Sequence, residues 1–183
     1  MHQPTRTALV PAALALALLT GCSTAEGDAA PAEDRKALTE VGREHLRLRA
    51  DLLTTERSRT ALAAVATAPL TKGLREEFRA DATELMARGD AHAKKDGGYR
   101  EATVEVTVDT ATVDGDDATL EVTEHTSLFF GGPADRDPAA TEYVLRHELR
   151  FVRDGTGWLL DGERVLGVEG KPLPDTQLDT PTT

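Results

Sequence analysis

Hydrophobic residues recur at helical spacing in the first half of the chain. The first set, at intervals of three and four, comprises Leu38, Val41, His45, Leu48 and Leu52. This spacing predicts an amphipathic helix, and Asp34 is suited to cap its N-terminus. The second set comprises Leu74, Phe78, Ala82, Leu85 and Met86, and it predicts a helix that extends to about Gly89 or a little beyond. A weaker helical segment between them ends before Pro69, because the residue before a proline avoids the helical region.

In the second half the hydrophobic period drops to two, which is typical of strands. Strands are predicted over 101–113, 118–130, 141–153 and 158–165. Tight Asp-Gly turns join the first to the second and the third to the fourth, and a loop over 131–140 joins the middle two. Helices followed by an antiparallel meander predict an α+β domain, with the helices packed on one face of a curved four-stranded sheet.

Three polar residues are predicted to lie among the apolar side chains of this sheet. Tyr143 and His147 share a strand face with Leu145, Leu149 and Phe151, and Glu124 shares one with Leu120 and Val122. A His paired with a Glu or a Tyr can act as general base and hydrogen-bond donor toward a carbonyl compound. Alternatively, the three hydrogen-bond to the backbone or to one another. His45 either approaches the same interior or is an ordinary core residue.

The N-terminal segment has the parts of a secretory signal. Its apolar core, 7–19, is well short of the ~20 residues that span a bilayer, and Pro11 interrupts it. The sequence Leu19-Thr20-Gly21-Cys22 that follows resembles the lipobox of bacterial lipoproteins. This resemblance implies cleavage before Cys22, a diacylglycerol on the Cys22 sulfur and a location on the extracytoplasmic face of the cell membrane. An ordinary cleaved signal is the alternative.

The sequence therefore predicts four parts. Residues 1–21 form the signal peptide, 22–33 a flexible tether, 34–170 the α+β domain and 171–183 a disordered tail. Within the domain, the order of helices and strands resembles the nuclear-transport-factor-two-like superfamily, a cone fold of the cystatin-like kind. The resemblance lies in the strand with His147 and Phe151, the 153–158 turn that leads into Trp158, and the hairpin ending in Leu128-Phe129-Phe130. It implies that the helices close over a bent sheet, and that enzymes of this fold place catalytic polar groups inside the cone.

Composition and charge narrow the possible partners. The formal net charge is −11, and removing 1–21 makes it one unit more negative, so nucleic acid is not an expected partner. Cys22 is the only cysteine, which leaves no thiolate for a disulfide or a metal site once it is lipidated. No zinc motif, calcium loop, phosphate loop or nucleophile elbow occurs, so no metal, cofactor or catalytic residue is predicted.

The favoured interpretation is a lipid-anchored extracytoplasmic binding or accessory module, without catalytic activity, whose partner is another envelope protein or a small ligand. One alternative is a cone-fold enzyme of the isomerase, dehydratase or cyclase kind, which would use His147 with Tyr143 or Glu124 on a small apolar ligand. It requires a water-accessible cavity around His147. The other is an envelope sensor or inhibitor that docks through a sheet edge or the 131–140 loop.

Overall fold

A computed structural model describes residues 28–130, 141–155, 157–167 and 173–178. The segment Leu19-Thr20-Gly21-Cys22, the first part of the predicted tether and the 131–140 loop lie outside the described residues. None of the helices in the described ranges has the length and apolar character needed to cross a membrane.

The described ranges contain three helices and five strands. The helices are α1 (Ala32–Leu52), α2 (Ser58–Val65) and α3 (Lys72–Asp96). The strands are β1 (Asp28–Ala29), β2 (Glu101–Asp114), β3 (Asp117–Phe129), β4 (Thr141–Asp154) and β5 (Gly157–Leu166). The α+β class predicted from the sequence is confirmed.

All five strands form one antiparallel sheet in chain order, β1-β2-β3-β4-β5. The prediction of four strands was wrong, because the sheet also contains the short edge strand β1. This strand lies inside the predicted tether. Its two residues, Asp28 and Ala29, pair with Val113 and Thr112 at the end of β2. Two residues are too few to show an alternating pattern, so hydrophobic periodicity cannot reveal this strand.

The helices cover one face of the sheet, where the core lies. Alternate residues of β3 and β4 point into it, and Leu120, Val122, Leu149 and Phe151 are at most 1% exposed. Helix α1 approaches this face closely at Gly42, where a Cβ would lie 2.7 Å from Leu149 Cδ1. The predicted apolar stripes of the helices therefore meet the predicted apolar face of the sheet.

The start of α1 differs from the prediction. The helix begins at Ala32 with Pro31 before it, so Asp34 lies inside the first turn and does not cap it. The Asp34 carboxylate instead accepts a hydrogen bond from Trp158 Nε1 at 2.9 Å and lies 3.4 Å from Arg153 Nη2. The Arg153 guanidinium in turn stacks on the Trp158 ring, 4.0 Å from its centre. These contacts fix the start of α1 to the β4–β5 hairpin.

Helix α3 was predicted to end at about Gly89 or a little beyond, and it continues to Asp96. It ends at Gly97, whose φ of 89° is the left-handed conformation common after a helix C-terminus. Gly89 is in the helix because α3 passes very close to the backbone after α1. A Cβ there would lie 2.6 Å from the carbonyl oxygen of Leu53.

Two glycine-to-alanine substitutions in α3 should have opposite effects on stability, because one glycine has a close backbone neighbour and the other has none. Gly89→Ala should destabilise the domain by about 1–3 kcal/mol, because the added methyl group meets backbone that cannot turn aside. Gly73→Ala should stabilise it by up to about 0.5–1 kcal/mol, since a Cβ there has no atom within 4 Å. Urea denaturation of both variants measures the difference. Equal stability of the two would contradict the close contact.

Six residues near the C-terminus also differ from the prediction. Residues 173–178 lie within the predicted disordered tail, yet Thr176 is 0% and Gln177 5% exposed. The segment is held by polar contacts to α3 and β4 and by Leu178, which packs against the core. Such contacts leave no periodic signal in the sequence.

Candidate functional site

Charged side chains from α1, β3, β4 and β5 converge inside the domain. This interior cluster consists of His45, Arg49, Glu124, His147 and Glu163. Glu124 and His147 are 0% exposed, and the Glu163 side chain, the most exposed of the five, is 12% exposed. Buried ionisable groups are costly unless they pair with one another, so their contacts decide what the cluster can do.

Helix α1 contributes His45 and Arg49, which lie one turn apart on the buried face that also carries Leu38 and Leu52. His45 therefore does approach the interior. Arg49 was not among the candidates because arginine is usually exposed. Its position in the sequence was the available signal, since a residue four after His45 and three before Leu52 belongs to the same helix face.

The three residues predicted for the interior are brought together by the register of β3 and β4. Val122 pairs with His147 and Thr126 with Tyr143, so Glu124 lies between the two pairs on the same face. Diagonal neighbours at this spacing are within reach of long side chains. Alternation predicted that Glu124, Tyr143 and His147 face the interior, and the register brings them near one another.

Strand β5 contributes Glu163, which the sequence analysis missed. Leu160 points into the core, and strict alternation would place 162 and 164 beside it and turn Glu163 outward. Strand β4 pairs with Leu160 and next with Gly162, so Asp161 is an extra residue in the register. Such a bulge reverses the faces that follow it. Glu163 thereby comes to lie opposite Leu149 and faces inward.

Glu163 is the centre of one half of the interior cluster. Its Oε2 lies 2.8 Å from His45 Nε2, and Arg49 Nη1 donates a hydrogen bond to its Oε1. His147 Nδ1 also lies 2.8 Å from Oε1, but the ring N–H is too poorly aligned to form a hydrogen bond. Three nitrogen-bearing side chains thus surround one carboxylate.

Glu124 is the centre of the other half. His147 Nε2 lies 2.6 Å from its Oε2, and Arg49 Nη2 lies 3.5 Å from the same oxygen. Its Oε1 accepts hydrogen bonds from the hydroxyl of Thr126 and, at 3.4 Å, from the hydroxyl of Tyr143. His147 and Arg49 therefore bridge the two buried carboxylates.

The pKa values of the cluster reflect this pairing. Burial alone would raise the pKa of Glu163, but attraction to Arg49 and the close contacts with His147 and His45 hold it well below its usual range. The pKa of Glu124 is lowered for the same reason, with burial outweighed by His147 and Arg49. Burial would lower the pKa of His147, but its contacts with Glu124 and Glu163 raise it. Burial also raises the pKa of Tyr143.

This arrangement pairs the charged groups of the cluster with one another. Both ring nitrogens of His147 face carboxylate oxygens, so neither is free to accept a proton from a ligand. The imidazole is 0% exposed, so a substrate has no access to it in this conformation. The carboxylate oxygens of the cluster are directed at Arg49, the histidines and the hydroxyls of Thr126 and Tyr143. No group of metal-binding side chains within the described ranges has an arrangement that could hold a metal ion.

Comparison with known proteins adds little to this picture. No protein-family model matches the chain, and no curated protein matches its sequence. Among solved structures, the chain is similar to the crystal structure of the intermembrane space region of the chloroplast protein ARC6. The two superpose with a TM-score of 0.49 at 16% sequence identity, covering 74% of this chain and 98% of the other.

Proposed function

We propose that this chain is a lipid-anchored module on the extracytoplasmic face of the cell membrane, which binds a partner and has no catalytic activity. The observation that supports a module without catalytic activity is the mutual pairing of the charged side chains in the interior cluster. Both of its carboxylates are paired with Arg49 and a histidine, and the imidazole of His147 is 0% exposed. The anchoring half stands on the Leu19-Thr20-Gly21-Cys22 sequence.

The proposal includes the cone fold. Two features support it besides the placement of the helices on one sheet face. Register shifts occur in β2 near Asp109, and where Arg150 and Phe151 of β4 pair with β5. Bulges of this kind bend strands and increase their twist, which is what a sheet needs in order to curve around helices. The register shifts therefore support a sheet that curves around the helices.

The position of β1 gives the proposed module an orientation. Asp28 pairs with Val113, so the chain enters the domain beside the β2–β3 turn. Only five residues separate Cys22 from Asp28, and a fully extended chain spans at most about 3.3–3.6 Å per residue. A lipid on Cys22 would hold this end within roughly 20 Å of the membrane surface. The opposite end, where Phe130 is 44% exposed, would then face a partner.

Substitution of the cysteine tests the anchor. Cys22→Ala should abolish incorporation of labelled fatty acid and either release the protein from the membrane or leave an uncut precursor, since no sulfur remains to accept the lipid. Membrane fractionation with mass measurement of the N-terminus follows both outcomes. Ser23→Ala is the matched control and should behave like the unaltered chain. Unchanged lipid labelling and membrane retention of Cys22→Ala would refute the anchor.

A further inference from the structure

Residues 173–178, the C-terminal strap, are held on the domain by recognition of their backbone and of one carboxylate. Arg88 Nη1 donates hydrogen bonds to the carbonyl oxygens of Asp175, at 3.2 Å, and Gln177, at 2.9 Å. His92 Nε2 lies 3.0 Å from the Asp175 carboxylate. Arg88 and His92 are both on α3, so this helix makes the polar contacts on one side of the strap.

On the other side, the strap inserts a side chain toward the interior cluster. Thr176 is 0% exposed, and its hydroxyl is hydrogen-bonded to the hydroxyl of Tyr143. The Tyr143 hydroxyl also donates to Glu124, so a continuous hydrogen-bonded path joins the strap to the buried carboxylate. Thr176 thus occupies a position that recognises a hydroxyl group.

The strap is shaped like a bound peptide. Its backbone belongs to neither a helix nor the sheet, and it is organised by its own turn, in which Gln177 N–H donates to the Pro174 carbonyl at 2.8 Å. The fit is also incomplete. The Gln177 side chain is buried, yet its Nε2 has no hydrogen-bond partner among the described residues. A buried unpaired amide weakens a bound segment, so another sequence could fill this surface better.

We propose that the surface formed by Arg88, His92 and Tyr143 is a peptide-binding site, which the strap fills in the free protein. The peptide it takes has a turn with an aspartate followed by a threonine or serine. Arg88 binds its carbonyl oxygens, His92 its carboxylate and Tyr143 its hydroxyl. This inference rests on the proposed binding function and identifies the site and the partner's chemistry. Binding of a partner then requires release of the strap.

Release of the strap from the full chain tests the proposal. Thr176→Lys should expel it, because a lysine cannot occupy a position that is 0% exposed. The probe is a fluorescent peptide of sequence Leu-Pro-Asp-Thr-Gln-Leu, which copies 173–178. Anisotropy should show a Kd at least about tenfold lower for Thr176→Lys than for the unaltered chain, where the tethered strap competes at an effective concentration near millimolar.

Two controls define the contacts. Adding Arg88→Met to Thr176→Lys should abolish peptide binding, while adding Arg47→Met, on an exposed part of α1, should not change it. A peptide with Val in place of Thr176 should bind about tenfold more weakly, since it lacks the hydroxyl, and one with Met in place of Gln177 about tenfold more tightly. Equal binding to the two full chains, no binding to either, or binding that survives Arg88→Met would overturn the proposal.

A second measurement does not depend on any variant of the protein. An excess of the peptide with Met in place of Gln177 should speed hydrogen exchange at the Gln177 amide of the unaltered chain, because release of the strap breaks its turn. Unchanged exchange would contradict displacement. These results are independent of the Cys22 experiment: an anchored chain that ignores the peptide refutes only the peptide site, and an unanchored chain that binds it refutes only the anchor.

Discussion

Arg49→Met is expected to destabilise the domain by about 3–5 kcal/mol at neutral pH, a large part of the ~5–15 kcal/mol that holds a typical domain folded. Arg49 is the one permanently charged cation of the interior cluster, and it faces both Glu163 and Glu124. Methionine has a similar length but no charge, so it would leave the two buried carboxylates with only the histidines as possible positively charged partners in the cluster. Urea denaturation followed by circular dichroism measures the loss.

Arg47→Met is the matched control, since Arg47 is on the same helix and is also paired with a glutamate. Its partner, Glu44, is on the surface, and both side chains are more than 40% exposed. An exposed pair of this kind contributes about 0–1 kcal/mol. If the two methionine variants lost equal stability, the charge of Arg49 would not be what holds the cluster together.

A double variant separates lost pairing from lost packing. Arg49→Met combined with Glu163→Met removes one buried charge of each sign and keeps side chains of similar size. Buried ion pairs replaced by apolar groups often cost little, whereas a single removal strands a charge. The double variant should therefore be more stable than Arg49→Met alone. Losses that simply add would show that the two side chains are not coupled.

The fold was largely readable from the sequence because its elements bury one face each. Alternation located the long strands to within one or two residues, and it predicted that Glu124, Tyr143 and His147 face the interior. The prediction failed where a regular period was interrupted. The extra residue Asp161 turns Glu163 inward, and the pattern of hydrophobic residues does not predict where a bulge occurs.

Other parts were missed because their contacts are polar. Arg49 lies on a helix face that the spacing did identify, but residue type alone assigned it to the surface. The short strand β1 and the strap over 173–178 are held by backbone pairing and by Arg88, which depend on the folded domain. The hydrophobic pattern of a sequence indicates which faces are buried, so it does not reveal segments that dock onto the surface of the folded domain through polar contacts.

The interior cluster should also make stability depend on pH. The titratable groups in the cluster and around it come from helices α1 and α3 and from strands β3, β4 and β5. They are His45 on α1, Asp81 on α3, Glu124 on β3, Tyr143 and His147 on β4, and Glu163 on β5, with Arg49 as the fixed charge. Asp81 has a raised pKa, caused first by burial and then by Glu77 and Glu84. Tyr143 stays neutral at physiological pH because its pKa is raised further.

On the acid side the glutamates dominate. Glu124 and Glu163 have folded-state pKa values below the ordinary 4.5, so their contribution is complete above that pH and is lost as the pH falls through the folded-state values. Asp81 acts in the opposite sense, since its raised pKa favours the folded state at low pH. The acid limb is therefore best measured as the difference between the unaltered chain and Glu163→Gln.

On the alkaline side His147 dominates. Its folded-state pKa is raised above the ordinary 6.5, so its contribution is complete below pH 6.5 and is lost as the pH rises through the folded-state value. Stability should be greatest between about pH 4.5 and 6.5, and above this range it should decline by no more than about 1.4 kcal/mol per pH unit, the limit for one proton. Urea denaturation from pH 4 to 9 measures the curve.

His147→Gln should remove the alkaline decline, because glutamine keeps a hydrogen-bonding side chain but does not titrate. His125→Gln is the matched control, since His125 is on the neighbouring strand β3 but exposed on the outer face of the sheet, and it should leave the decline in place. If both variants kept the decline, another group would cause it. If the stability of the unaltered chain rose steadily from pH 6.5 to 9, the buried His147 would not carry a proton between Glu124 and Glu163, and the cluster would be held by Arg49 alone.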